Sequence, residues 1–90
     1  MAQVTFTRHL YRFFPDLTEG SVPAESVAAL VRALDARHPG LAGYLVDERG
    51  ALRKHVNVFV DGEMVRDRRS LSDPLTDASE VFIVQALSGG

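Results

Sequence analysis

The stretch of sequence that decides the fold comes last: Ser79-Glu80-Val81-Phe82-Ile83-Val84-Gln85-Ala86-Leu87-Ser88-Gly89-Gly90. Its first seven residues form a short apolar run rich in β-branched and aromatic side chains, which predicts a strand. A rigid strand would direct the five residues after it away from the body of the domain. We therefore expect a folded domain over residues 1–85 and a flexible tail over residues 86–90.

The predicted tail ends in two glycines, Gly89 and Gly90. Glycine has no Cβ and adopts backbone conformations closed to other residues, so this end could thread a narrow tunnel. The carboxylate of Gly90 is the candidate reactive group, and Leu87, Ser88 and Gly89 form the stem that would carry it. The alternative is a frayed terminus with no function of its own.

Length and composition restrict the class of protein. Ninety residues make one small domain, and no apolar run approaches the roughly 20 residues of a membrane span. A net charge of -2 argues against nucleic acid or an anionic membrane as the main partner, because both require a clustered basic surface. The N-terminal residues lack a basic region followed by an apolar core, so no secretory signal is visible and a cytoplasmic location is expected.

Residues that could carry out chemistry are sparse. The absence of cysteine excludes disulfides, thiolate metal sites and a cysteine nucleophile. His9, His38 and His55 lie in different predicted elements without the spacing of a metal site, so no metal is predicted. No serine has the pattern of a nucleophile elbow, and there is no phosphate-binding glycine loop. The chain is predicted not to be an enzyme, and any nucleotide must be held by a partner.

The N-terminal part predicts a hairpin. Residues 4–7 alternate apolar and polar side chains, as in a strand with Val4 and Phe6 in the core. Residues 9–15 have mixed periodicity and end at a proline, which predicts a loop whose aromatic side chains pack against the body. Residues 17–22 are predicted to be an edge strand.

A helical period begins after Ser26, the predicted N-cap. Four apolar residues then fall at positions i, i+3, i+4 and i+7: Val27, Leu30, Val31 and Leu34. The helix should end near residue 37 or 38, because Pro39 disfavours helical geometry in the residue before it. Residues 41–46 are predicted to form an irregular turn, and residues 47–50 a polar loop.

The clearest strand is formed by residues 55–60, and Asp61-Gly62 predicts a tight turn into a short strand over residues 63–65. Among the charged residues that follow, Arg66, Arg68 and Arg69 either contact acidic residues of a partner or form a solvated surface. The element order is strand, strand, helix, strand, short strand, strand. This order fits an α+β domain of the β-grasp type, with a mixed sheet of four to five strands and one main helix on one face.

Strand parity predicts a docking face. If Val56, Val58 and Val60 face the helix, Phe59 and Asn57 must point to the opposite face. In the last strand the core pair is Val81 and Ile83, because the other register would bury a glutamate. The exposed apolar patch predicted to bind partner enzymes is then formed by Phe59, Phe82 and Val84. The alternative is that neighbouring loops partly cover it.

Three stretches resemble the ubiquitin-like sulfur carriers of the MoaD/ThiS group: residues 56–62, residues 71–77, and residues 80–84 leading into Gly89-Gly90. The resemblance is greatest to the small subunit of molybdopterin synthase and to the carriers of cysteine synthesis. Two features depart from the family pattern. Gln85 stands where many members have proline before the tail, and the aromatic stretch over residues 10–14 is bulkier than expected.

The resemblance implies a carrier function. An activating enzyme would use ATP to adenylate the Gly90 carboxylate, and sulfur would then attack the carbonyl carbon. The resulting thiocarboxylate would be delivered to a sulfur-accepting enzyme that makes a molybdopterin-like cofactor, cysteine or methionine, and the chain itself would bind no cofactor. Two other functions remain open. One is a ubiquitin-like modifier joined through Gly90 to lysines of other proteins, and the other is a non-catalytic β-grasp interaction module.

Overall fold

The structure of the chain is a computed structural model that describes residues 1–17 and 20–85, without the side chains of His9 and Phe13. The strands and helices follow in the order β1 (Ala2–Phe6), α1 (Arg8–Phe13), β2 (Gly20–Val22), α2 (Val27–Arg37), α3 (Leu41–Leu45), β3 (Val56–Val60), β4 (Glu63–Met64) and β5 (Glu80–Gln85). None of the helices among these residues is long and apolar enough to cross a membrane.

The five strands form one mixed sheet in the order β2-β1-β5-β3-β4. β1 and β5 are parallel, and the other neighbouring pairs are antiparallel. The last strand therefore lies at the centre, between the first strand and the β3–β4 hairpin. With α2 packed on one face, this is the predicted β-grasp arrangement, and the predicted edge position of β2 is confirmed.

α2 has the predicted position and the predicted buried side. Its buried residues are Val27, Leu30, Val31 and Leu34. The Ser26 hydroxyl accepts a hydrogen bond from the amide of Ala29 at 3.1 Å, which confirms the N-cap. At the other end the amide of His38 donates to the carbonyl of Leu34 at 2.8 Å, and Pro39 follows. The helix thus ends where the proline was expected to stop it.

Two predictions about irregular segments are wrong. Residues 9–13, which belong to the loop predicted over residues 9–15, lie in α1 (Arg8–Phe13), and Leu10 on this helix is fully buried. Residues 41–45, predicted as an irregular turn, form α3, whose Leu41 and Leu45 are fully buried. The carboxylate of Asp35 accepts hydrogen bonds from the amides of Gly40 and Ala42 at the start of α3, at 3.1 and 3.0 Å. These acceptors satisfy amides that an isolated short helix would leave unpaired.

The Asp61-Gly62 turn connects β3 and β4 as predicted. Both residues have positive φ angles, 52° and 85°, as the two-residue turn favoured in hairpins requires. One Asp61 carboxylate oxygen also accepts the amide of Glu80 at 2.9 Å. The turn is thereby tied to the first residue of β5.

Arg68 protects the outer edge of β3, which the two-residue β4 covers only in part. Its guanidinium donates to the carbonyl oxygens of Val56 and Arg53, at 2.9 and 3.0 Å, and to Oδ1 of Asn57 at 2.6 Å. These bonds occupy acceptors that a longer strand would otherwise pair. The Arg68 guanidinium is therefore bound within the domain, whereas Arg66 and Arg69 are exposed.

Candidate functional site

The predicted reactive tail begins where β5 ends. The predictions for Leu87, Ser88, Gly89 and Gly90 lie outside the described residues, whose last member is Gln85. Gln85 is held on both sides of its strand. Its amide donates to Oγ1 of Thr7 at 3.2 Å, and its backbone is paired with Val56 of β3. Residues 86–90 therefore continue from a fixed point at the end of the central strand.

The parity predicted for β5 is confirmed. Val81 and Ile83 are 2% and 0% exposed, whereas Phe82 between them is 42% exposed. Val84 lies on the same face as Phe82 and is half-buried. The sheet thus has a covered face that packs against α2 and an open face that carries Phe82.

On β3 the predicted direction of the Phe59 side chain is right, and its predicted exposure is only partly right. Val56 and Val58 are buried on the covered face, and Phe59 points to the open face. Phe59 is nevertheless half-buried, where a bare side chain was expected. The reason is that side chains of the two neighbouring strands cover part of the Phe59 ring. Phe59 lies directly opposite Phe82 on one side and Met64 on the other, and side chains on directly opposed residues of antiparallel strands contact each other.

These three residues form an apolar row across the open face: Phe82, Phe59 and Met64. Met64 is 52% exposed, and the sequence prediction missed it. The signal was present, because a two-residue turn at Asp61-Gly62 places residue 64 opposite residue 59 and therefore on the same face. Beside the row runs a shallow groove of about 520 Å³, which reaches Gln3 and Glu80 at the far end of the strands.

The open face has apolar side chains at its centre and polar residues at its end. Within residues 1–17 and 20–85, no group of three or more His, Asp or Glu residues is placed to hold a metal ion. The carboxyl groups with lowered pKa values, Asp47, Asp67 and Asp77, owe the shift chiefly to hydrogen bonds from loop residues or from the amino terminus. An apolar centre with polar ends is typical of a surface that binds another protein.

The sheet order, the single long helix and the central last strand define the class of protein: a ubiquitin-like β-grasp domain. The family model described as the ThiS family matches residues 4–90. Because this match extends over nearly the whole chain, the chain belongs to the ThiS family.

Individual relatives include a sulfur carrier and a protein modifier. Over 72 residues the chain is 31% identical to the sulfur carrier protein CysO of Mycobacterium tuberculosis, covering 78% of this chain and 77% of that protein. Over 65 residues it is 32% identical to small archaeal modifier protein 3 of Haloferax volcanii, covering 72% and 70% of the two proteins. A chain of the Amycolatopsis orientalis BexX/CysO complex superposes with a TM-score of 0.84 at 24% identity, with complete coverage of both chains. At that identity, the structural likeness shows the fold alone.

Proposed function

We propose that this chain is a sulfur carrier protein and that the reactions are catalysed by its partners in the cytoplasm. In the first step an activating enzyme binds ATP. An oxygen of the Gly90 carboxylate attacks the α-phosphorus, and pyrophosphate leaves. In the second step sulfide, or a donor at the same oxidation level, attacks the acyl carbon and displaces AMP. The product is a thiocarboxylate, and a sulfur-accepting enzyme takes its sulfur to make a molybdopterin-like cofactor, cysteine or methionine.

The observation that carries this proposal is that the family match extends to residue 90 and so includes Gly89 and Gly90. The position of β5 supports it. Five residues in extended conformation span at most about 17 Å, enough to carry a carboxylate well away from the domain surface. Gln85 is fixed by Thr7 and Val56, so the starting point of this reach is defined.

The open face provides the candidate docking surface for the activating and accepting enzymes. Phe82, Phe59 and Val84 point to the same face of the sheet, and Val84 directly precedes Gln85, the last described residue. An enzyme that covers this face gains affinity from apolar burial, at roughly 25 cal/mol per Å² removed from water. When the folded domain supplies the affinity, Gly89 and Gly90 need no side chains for binding and can enter a narrow active site.

A second candidate function is protein modification through the same terminus. The likeness to small archaeal modifier protein 3 favours it. In that case the adenylated Gly90 would react with a lysine amine, and an isopeptide bond would form as AMP leaves. Both functions need the same activation step, so they differ only in the nucleophile that attacks the acyl carbon.

The test is to incubate the full chain with a purified adenylating enzyme of the kind that activates such carriers, together with ATP and sulfide. We expect release of pyrophosphate and, by intact-mass spectrometry, exchange of one oxygen for sulfur at the C-terminus. A ladder of conjugates on added proteins, without the sulfur exchange, would support the modifier instead. A chain that is never adenylated under these conditions would contradict both candidates.

The matched control is the variant that lacks Gly90. It should lose activation completely while keeping its thermal stability, because residues 1–85 contain the predicted folded domain. Gly89→Val should behave in the same way, since its side chain would obstruct the tunnel that the tail must enter. Normal adenylation of either variant would contradict the role given to the glycines.

A further inference from the structure

Charged side chains in this domain are seldom paired with one another. Among the described residues, the one ion pair within 4 Å joins the amino group of Met1 to the carboxylate of Asp77, at 2.9 Å. Yet the sequence contains 10 Lys and Arg and 12 Asp and Glu residues. When charges are not neutralised locally, their arrangement over the surface decides which partners are attracted and in which orientation.

Basic residues surround the end of β5, from which the tail continues. We call this group the basic rim: Arg8, Arg12, Arg53, Lys54 and Arg68. On one side of Gln85 lies Thr7, whose Oγ1 accepts the Gln85 amide. Arg8 follows Thr7 directly, and Arg12 lies one helical turn later on the same side of α1. Both arginines are exposed.

The other side of the rim is built on the start of β3. Val56 is paired with Gln85, and Arg53 and Lys54 precede this strand, separated from it by His55. Neighbouring strands lie about 4.8 Å apart, so the backbones of the two sides are separated by only about 10 Å, with β5 between them. A partner protein that approaches the end of β5 therefore meets cations on both sides of this strand.

Two members of the rim, Arg53 and Arg68, donate hydrogen bonds to neutral acceptors. Nε of Arg53 donates to the carbonyl oxygens of Gly43 and Val46, at 2.8 and 3.1 Å. The Arg68 guanidinium is bound by Asn57 and by two carbonyl oxygens at the start of β3. Rotamers fixed in this way cost less entropy to use in an interface than free side chains do.

A carboxylate, that of Asp47, lies near the outer side of the rim, in the surface shared with Arg53 and Lys54. Asp47 is turned into its own loop. Its Oδ1 accepts the amides of Arg49 and Ala51 at 2.8 and 3.1 Å, and these bonds lower its pKa. It therefore reduces the positive potential without removing it.

The opposite end of the sheet carries the opposite charge. β5 begins there with Glu80, and Asp61 and Glu63 belong to the neighbouring hairpin. Asp77 lies at the same end, paired with the amino group of Met1, and Arg66 lies beside Asp61 and Glu63. The charge therefore changes sign along the sheet, from an acidic end to the basic rim around the base of the tail.

We propose that the basic rim docks against an acidic border around the entrance of the protein site that receives the tail. This inference rests on the proposed function in that it assumes such a protein partner. The observations favour a protein over a nucleic acid, because a long polyanion that contacts the rim would also meet the acidic end of a domain with net charge -2. A compact acidic border meets only the rim and orients the tail toward its entrance.

The first test does not require an active partner. The isotopically labelled full chain is titrated with a short oligoglutamate peptide at low salt, and amide chemical shifts are followed by NMR. We expect the largest shifts at Arg8, Arg12 and Lys54, and their loss in the double variant Arg8→Glu/Lys54→Glu. The control Arg32→Glu/Arg66→Glu changes the net charge equally at exposed positions outside the rim and should keep the response. Tighter binding of single-stranded RNA or of anionic phosphatidylserine vesicles at the rim would overturn the choice of a protein partner.

The second test measures association with the adenylating enzyme. Reversal of charge in the rim should lower the association rate constant by about tenfold or more at low salt, and the difference should shrink at high salt. The control pair should change it by less than about twofold. Two results would overturn the proposal. One is an equal decrease of the association rate constant in the rim variant and in the control variant, and the other is a set of oligoglutamate-induced shifts spread over the whole surface. The enzyme could fail to adenylate the chain while the NMR response stays confined to the rim. That result would contradict the proposed function and would leave the binding of acidic surfaces by the rim supported.

Discussion

The two faces of the sheet differ sharply although the same strands make both. On β5, Ile83 is fully buried against the helical layer, and Phe82 beside it is 42% exposed. On β3, Val58 is fully buried, and Phe59 is half-buried in the apolar row. The difference teaches that neighbouring residues of one strand can serve separate purposes. The covered face determines stability, and the open face is available for binding.

The largest expected effect comes from the covered face. Ile83→Ala removes a fully buried side chain and should lower the free energy of unfolding by about 2 to 5 kcal/mol. Because small domains have total stabilities of only about 5–15 kcal/mol, this change could unfold the domain. Ile83→Val, with an expected loss of about 0.5 to 1.5 kcal/mol, keeps the measurement feasible. Urea unfolding followed by circular dichroism gives both values.

The matched control is Phe82→Ala on the same strand, which should cost less than about 1 kcal/mol because it removes mainly a cross-strand contact. Similar losses at residues 82 and 83 would remove the distinction between the two faces. Leu30→Ala on α2 should resemble Ile83→Ala, because Leu30 is buried on the other side of the same core.

The next effect is expected at the sheet edge, which belongs to neither face. Arg68→Met leaves the carbonyl oxygens of Val56 and Arg53 and the amide oxygen of Asn57 without their donor. We expect a loss of about 1 to 2 kcal/mol, because the site is only half-buried and water can replace part of the bonding. Hydrogen exchange at the β3–β5 pairing should show faster local opening.

Arg68→Lys distinguishes geometry from charge. Lysine keeps the charge and lacks the planar fork that reaches several acceptors, so most of the loss should remain. Arg69→Met, at the exposed neighbouring position, should leave stability nearly unchanged. A lysine variant as stable as the parent would show that the charge alone is sufficient.

The sequence predicted the elements that have a clear period. α2 shows four buried positions over three turns. β3 is followed by Asp61-Gly62, a pair of residues that is typical of a two-residue hairpin turn. The parity of β5 was predictable because one register places Val81 and Ile83 in the core and the other places a glutamate there. These signals are local, so a single sequence is enough to find them.

The features that were missed depend on distant parts of the chain. α1 and α3 are too short to show a period, with one buried leucine on α1 and two on α3, and the amides at the start of α3 are satisfied by Asp35 of the preceding helix. The role of Arg68 arises only when the loop after β4 folds back along β3. Met64 did not depend on distant residues. The two-residue turn already places it opposite Phe59, so its position on the open face could have been predicted from the sequence.

A smaller energetic effect, on binding and not on stability, is expected on the open face. Phe82→Ser should weaken binding to the activating enzyme by more than about 1 kcal/mol, the range of interface residues that matter. Met64→Ser should act in the same direction, because Met64 ends the same apolar row. Isothermal titration calorimetry with the parent and variant chains measures the change in affinity.

The control for the open face is Tyr44→Ser. Tyr44 is also a partly exposed aromatic residue, and it packs edge-to-face on Phe14, with ring centroids 5.3 Å apart, in the helical layer. Its replacement should leave the affinity for the enzyme unchanged. If Tyr44→Ser and Phe82→Ser weaken binding equally, the docking surface is not confined to the open face.

The smallest effect concerns the loop that closes the covered face, and it depends on pH. The carboxylate of Asp67 accepts hydrogen bonds from the Ser72 hydroxyl at 2.5 Å and from the Ser70 amide at 3.0 Å. These bonds, the first of them the most important, lower the pKa of Asp67 from 3.8 to about 2. The same loop accepts the amides of Val27 and Ala28 at the start of α2, so it holds the helix on the sheet.

The sign of the effect follows from the depressed pKa. Above about pH 4 the Asp67 carboxylate is ionised in both states, and its hydrogen bonds stabilise the folded chain in full. As pH falls from about 4 toward 2, the unfolded chain binds the proton first, and the stabilisation is lost. Asp67→Asn should therefore be less stable than the parent at pH 7, and the difference should vanish near pH 2. Urea unfolding at several pH values tests this, and parallel pH profiles for the two proteins would show that Asp67 does not hold the loop that supports the covered face.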